Sequence, residues 1–169
     1  MNSIVQRQDF LACMEIISER IQEEVYCINA GGCVFFASQL LKRMKKIGID
    51  NAVVVAYGDQ FMEDTADLHN VNNTLRESFL DPYDLDNWNE NGVNFAHVVV
   101  EWDDVCWDAE RPFSANEPNW LMWSRYNGTL DEDLVHEWGA DSTGWNPSYD
   151  RSQDPIVCQI LDEAFELLH

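Results

Sequence analysis

From Arg7 to about Tyr26, apolar residues recur every three or four positions: Phe10, Met14, Ile17, Ile21 and Val25. Glu15, Glu19, Arg20, Glu23 and Glu24 occupy the other faces, and this spacing predicts an amphipathic helix. After a short link, Cys27 to Gly32, a second stripe runs through Phe36, Leu40, Met44 and Ile47. Lys42, Arg43, Lys45 and Lys46 crowd its end, where cations favour a helix C-terminus, and Gly48 is the expected stop. The period then changes. Asn51 to Tyr57 carries the β-branched run Val53-Val54-Val55 and predicts a buried strand. Gly58 to Asn94 loses any period in acidic and Asn-rich sequence, which is the mark of a long insertion, with a candidate short helix over Val71 to Phe79.

Two apolar runs then flank Asp103-Asp104, as a two-residue hairpin requires. With these two residues as the loop, Trp102 faces Val105, Val100 faces Trp107 and Val99 faces Asp108. One side of the hairpin then carries Val98, Val100, Trp102, Val105 and Trp107. The other carries His97, Val99, Glu101, Cys106, Asp108 and Glu110, so His97 and Asp108 share a side. Beyond Pro112 the aromatics Trp120, Trp123, Tyr126, Trp138, Trp145 and Tyr149 lie among Gly, Asn, Asp and Pro, and irregular structure is expected. Pro155 to Leu168, with Ile160, Leu161, Ala164, Phe165 and Leu168 at helical spacing, predicts a closing helix. These elements amount to an α+β fold, N-terminal helices packed on a small antiparallel sheet, with residues 1–169 expected to form a single domain.

Composition narrows the function classes. At 46% hydrophobic residues, with 7 Trp and 8 Phe, the 169-residue chain has the material for a sizeable core. Its 31 acidic and 10 basic residues give a net charge of -21, which repels nucleic acid phosphates and anionic lipid and favours a basic partner. Five cysteines, odd in number and without a C-x-x-C pair, point to free thiols in a reducing cytoplasm, bacterial or that of a host if the chain is phage-encoded. No apolar run approaches the ~20 residues of a membrane span, and no signal segment opens the chain. His69, His97, His136 and His169 are scattered and H-E-x-x-H is absent, so no metal site is expected.

The chemistry converges on Cys33. Asn29-Ala30-Gly31-Gly32 runs directly into the second helix, which places the Cys33 thiol at the positive end of a helix dipole, a position that favours thiolate. Two glycines before it permit a tight turn and leave room for a substrate carbonyl beside the Cys33 amide. His97 is the candidate general acid/base, and Asp108 the residue that would fix its tautomer.

The string Gly31-Gly32-Cys33-Val34-Phe35-Phe36-Ala37-Ser38-Gln39-Leu40, then Ala96-His97-Val98-Val99-Val100-Glu101 and Cys106-Trp107-Asp108-Ala109, resembles the Cys–His–Asp order of the papain-like and transglutaminase-like cysteine hydrolase superfamily. The likeness spans roughly residues 29 to 110. It implies a papain-like core with a long insertion and an aromatic-rich C-terminal region, a nucleophile at Cys33, a general acid/base at His97 and an orienting Asp108. Asn29 and Gly32 become oxyanion-hole candidates, and no upstream Gln of the papain-like kind is identifiable. The implied activity is thiol-dependent hydrolysis or acyl transfer at an amide, isopeptide or thioester bond of a basic peptide or protein, without a cofactor. The alternative is a non-catalytic acidic binding or inhibitor protein on the same scaffold, a DNA mimic among the options. The sequence leaves the oligomeric state open.

Overall fold

A computed structural model describes residues 5–29, 32–59, 72, 95–110, 113–114, 123–141 and 149–168. The chain is α+β. Helix α1 (Arg7–Glu24) and helix α2 (Cys33–Lys46) precede strand β1 (Val53–Asp59). Next come β2 (Phe95–Trp102), β3 (Val105–Trp107), β4 (Phe113–Ser114) and β5 (Trp123–Arg125), then α3 (Glu132–Asp141), a single 3-10 turn (Arg151–Gln153) and α4 (Asp154–Glu166). The strands form one antiparallel sheet in the order β4-β3-β2-β1-β5.

Helix positions follow the apolar spacing. Phe10, Met14, Ile17 and Ile21 are buried along one face of α1, and Leu40 and Met44 along α2. Gly48 ends the second helix in a left-handed conformation (φ 90°) that a side chain would disfavour. The hairpin register is the one its alternation predicts, with Val100 opposite Trp107, Glu101 opposite Cys106 and Trp102 opposite Val105. On one side, Val98, Val100, Val105 and Trp107 join the core built by the four helices. Phe10 sits at its centre, meeting Trp107, Trp102 and Phe165 edge to face at 4.6, 5.2 and 5.9 Å, so α1, the hairpin and α4 share one aromatic node. The opposite side carries a smaller cluster of Val55, Tyr57, Val99 and Cys106.

The hairpin turn is strained. Asp103 (φ 55°) and Asp104 (φ 59°) both lie in the left-handed region, the conformation of a two-residue type I′ turn. Asp tolerates this less well than Gly, which has no Cβ to meet the carbonyl. Asp104→Gly is therefore expected to stabilise the domain by about 1 kcal/mol, read as a higher urea midpoint, and an unchanged or lower midpoint would contradict this account of the turn.

The region after Pro112 departs from expectation. It contains β4, β5 and the ten-residue helix α3 in place of wholly irregular structure. Leu134, Val135 and Trp138 are buried at helical spacing, but Gly139 reads as a breaker in sequence. In the fold that glycine is a contact. A Cβ there would lie 3.0 Å from Ser38 Cβ and 3.2 Å from the Val34 carbonyl oxygen, so its absence lets α3 cross closely over α2. Asn72 holds the start of α3 by accepting from the Asp131 amide (2.9 Å) and donating to the Thr129 carbonyl (3.0 Å). The rest of the predicted short helix at 71–79, and nearly all of the expected insertion, lie outside the described residues.

Candidate active site

Three segments far apart in sequence meet at the N-terminus of α2. Gly32 is the residue before the helix, and its carbonyl accepts the first helical bond from the Phe36 amide (2.9 Å). Cys33 opens the helix, half-buried, with its own amide among the first four N–H groups that an α-helix leaves without an internal partner. Cys33 lies near enough to the His97 imidazole to favour its charged form. His97 stands near the start of β2, and its Nε2 pairs with Oδ2 of Asp108, one residue beyond the end of β3. With Nε2 on Asp108, proton exchange with a thiol would run through Nδ1.

Burial grades along this chain of contacts. His97 and Asp108 are 3% and 4% exposed, while Cys33 reaches solvent in part. Desolvation alone would lower the pKa of His97, but the hydrogen-bonded, charged Asp108, with Cys33 nearby, outweighs it and raises the imidazole to about 10. Burial would likewise raise Asp108, and the bond from His97, that residue's charge and two further donors hold its carboxyl below the usual value. At neutral pH the pair is therefore an imidazolium against a carboxylate.

The further donors show where the oxyanion-hole candidates stand. The Asn29 amide donates to Asp108 Oδ1 (3.0 Å), and the Glu110 backbone amide donates to the same oxygen (2.7 Å). Gly32 is committed as well, its N–H donating to the Ile28 carbonyl (2.8 Å). The Cys33 amide is thus the backbone donor that the start of the helix offers beside the thiol. Both glycines were expected to matter for room, and Gly32 does: a Cβ there would lie 2.6 Å from the Ile28 carbonyl oxygen and 2.9 Å from the Tyr149 ring, while Gly31 lies outside the described residues. Gly32→Ala is expected to cost about 1–3 kcal/mol and to slow Cys33 alkylation at least tenfold, since the helix start has to shift. A denaturant midpoint and an alkylation rate equal to those of the wild type would contradict this.

Sequence reasoning missed the supports. Cys27 adopts a left-handed conformation (φ 58°) in the link between the two helices. Beside it, Gln153 clamps the Tyr26 backbone from both sides, accepting from its N–H (2.7 Å) and donating to its carbonyl (3.0 Å). Asn29 and Asp108 are 79 positions apart, and no spacing rule connects them. Cys106 also proves to be structural in its contacts: it is buried, burial pushes its thiol up to about 11, and it lies 3.5 Å from the Tyr57 hydroxyl. Among the described residues no group of three or more His, Cys, Asp or Glu side chains could hold a metal ion, and no helix is long and apolar enough to cross a membrane. No family model, curated protein or solved structure matches the chain.

Proposed function

We propose that the chain is a thiol-dependent hydrolase or acyltransferase of papain-like type, acting on an amide, isopeptide or thioester bond. The observation that carries this reading is the buried His97, held by Asp108 on one nitrogen and close to a partly exposed Cys33. A core histidine with a merely structural role has no need of a charged partner behind it and an accessible thiol in front.

In this reading the Cys33 sulfur, its proton held on His97, attacks the substrate carbonyl carbon and forms a C–S bond. The oxygen that gains charge lies against the Cys33 amide. When the tetrahedral centre collapses, the C–N or C–S bond of the substrate breaks and the leaving amine or thiol takes the proton from His97 Nδ1. Water, or an acceptor amine, then gives its proton to His97, attacks the acyl-enzyme, and the sulfur departs. Asp108 stays ionised and fixes the ring throughout. This chemistry requires no cofactor. All five cysteines are free, which suits a reducing compartment such as the cytoplasm, and the net charge of -21 favours approach by a basic peptide or protein.

The test is to trap the acyl-enzyme. On mixing with a small aromatic thioester, intact and peptide mass spectra are expected to show the acyl group on Cys33 and to show it decay in water or faster with an added amine. Equal acylation of all five cysteines, or none at Cys33, would refute the assignment.

A further inference from the structure

A cavity of about 320 Å³ opens beside the site, between the end of α1 and the link that leads to α2. Ile21, Val25 and Ile28 supply apolar wall, and Gln22, Asn29 and Glu110 supply the polar part. Two of these are tied to the site: Asn29 and the Glu110 amide both donate to Asp108. Gln22 spends an amide hydrogen on the Glu110 carbonyl (3.1 Å), which fixes that residue against α1. Gln22 and Asn29 also carry amide oxygens that can accept, and Glu110 brings a carboxylate to the same lining. Among the described residues, none that lines the cavity is cationic.

An aromatic adjoins the wall in sequence. Tyr26 is 75% exposed although Gln153 pins its backbone, and it directly precedes Cys27, itself part of the cavity wall. An aliphatic wall, a carboxylate with neighbouring acceptors and an open tyrosine face are complementary to a long side chain with a cationic head. A neutral aliphatic side chain would leave the carboxylate unmatched, and an acidic one would be repelled.

Resting on the proposed hydrolase, we infer that this cavity is a specificity subsite that takes a lysine or arginine side chain of the substrate, stem on Ile21, Val25 and Ile28, cation on Glu110. It translates the overall acidity of the chain into one recognised residue. Because Asn29 and Glu110 also brace Asp108, a filled cavity would bear directly on the groups that hold His97.

The experiment uses tripeptidyl chloromethyl ketones with lysine, norleucine or glutamate at each position in turn, read as the rate of Cys33 alkylation, in which a C–S bond forms and chloride leaves. At one position lysine is expected to react at least tenfold faster than norleucine, with glutamate slowest, and Glu110→Gln is expected to bring the lysine-to-norleucine ratio to within about twofold of unity. A ratio below twofold at every position, or one that Glu110→Gln leaves intact, overturns the subsite. Iodoacetamide separates this from failure of the nucleophile, since it reports Cys33 reactivity without using the cavity. Should Cys33 prove inert, amide chemical shifts of Cys27, Asn29 and Glu110 on titration with Nα-acetyl-lysine N-methylamide read the cavity directly. Saturable shifts with affinity at least tenfold above the norleucine analogue support it, and equal affinities refute it.

Discussion

Cys33→Ala is expected to abolish acyl-enzyme formation and to lower any thioester or peptide turnover by about 10⁴-fold or more, the scale of losing a nucleophile that acts as one unit with its base. Stability should hardly change. Cys33 is half-buried at the first position of α2, alanine is the best helix former, and the substitution removes a single sulfur that is not enclosed by the core, so a shift within about 1 kcal/mol is expected. Turnover within tenfold of wild type in a folded variant would remove Cys33 from the chemistry.

Asp108→Ala is expected to be the most destabilising change at the site, at about 3–5 kcal/mol near neutral pH, because it strands a buried imidazole and two further donors that now converge on one carboxylate. The effect carries a pH signature. His97 is raised in the folded protein, so the pair contributes fully below the unfolded histidine value of about 6.5, and that contribution is lost as pH climbs through about 10. Asp108 is lowered, so its share is present above its unfolded value of about 3.9 and disappears as pH falls through the lower folded value. The difference in unfolding free energy between wild type and Asp108→Ala should therefore be widest between about pH 4 and 6.5 and narrow on both sides. A difference under about 1 kcal/mol, or one flat with pH, would mean that the pair is not charged in the folded state.

The part of this architecture that was legible in sequence is the part with a local cause. Apolar spacing placed α1, α2 and α4, and the period of two around Asp103-Asp104 set the register that puts His97 and Asp108 on one side of the hairpin. Helix α3 was hidden because Gly139 means a breaker in one dimension and a close helix crossing in three. The contacts of Asn29 and Gly32 were hidden for a related reason: both stand near the thiol in sequence, yet Asn29 donates to Asp108 and the Gly32 N–H to Ile28. Sequence position near Cys33 suggests an oxyanion hole, and only the tertiary contact between the link and the end of β3 reveals that Asn29 also donates to the Asp108 carboxylate. The cavity at Glu110 was invisible for the same cause, since its walls come from α1, the link and the end of the hairpin.

The central claim is that His97 activates Cys33, and the most direct measurement is the alkylation rate of each cysteine against pH, by mass spectrometry with iodoacetamide, in the wild type and in His97→Ala. The account predicts that Cys33 reacts far faster than Cys13, Cys27, Cys106 and Cys158 at pH 6 to 7, and that His97→Ala removes this advantage by at least tenfold while leaving the other four unchanged. A Cys33 that reacts no faster than Cys27 or Cys158, or equally fast with and without His97, would contradict it.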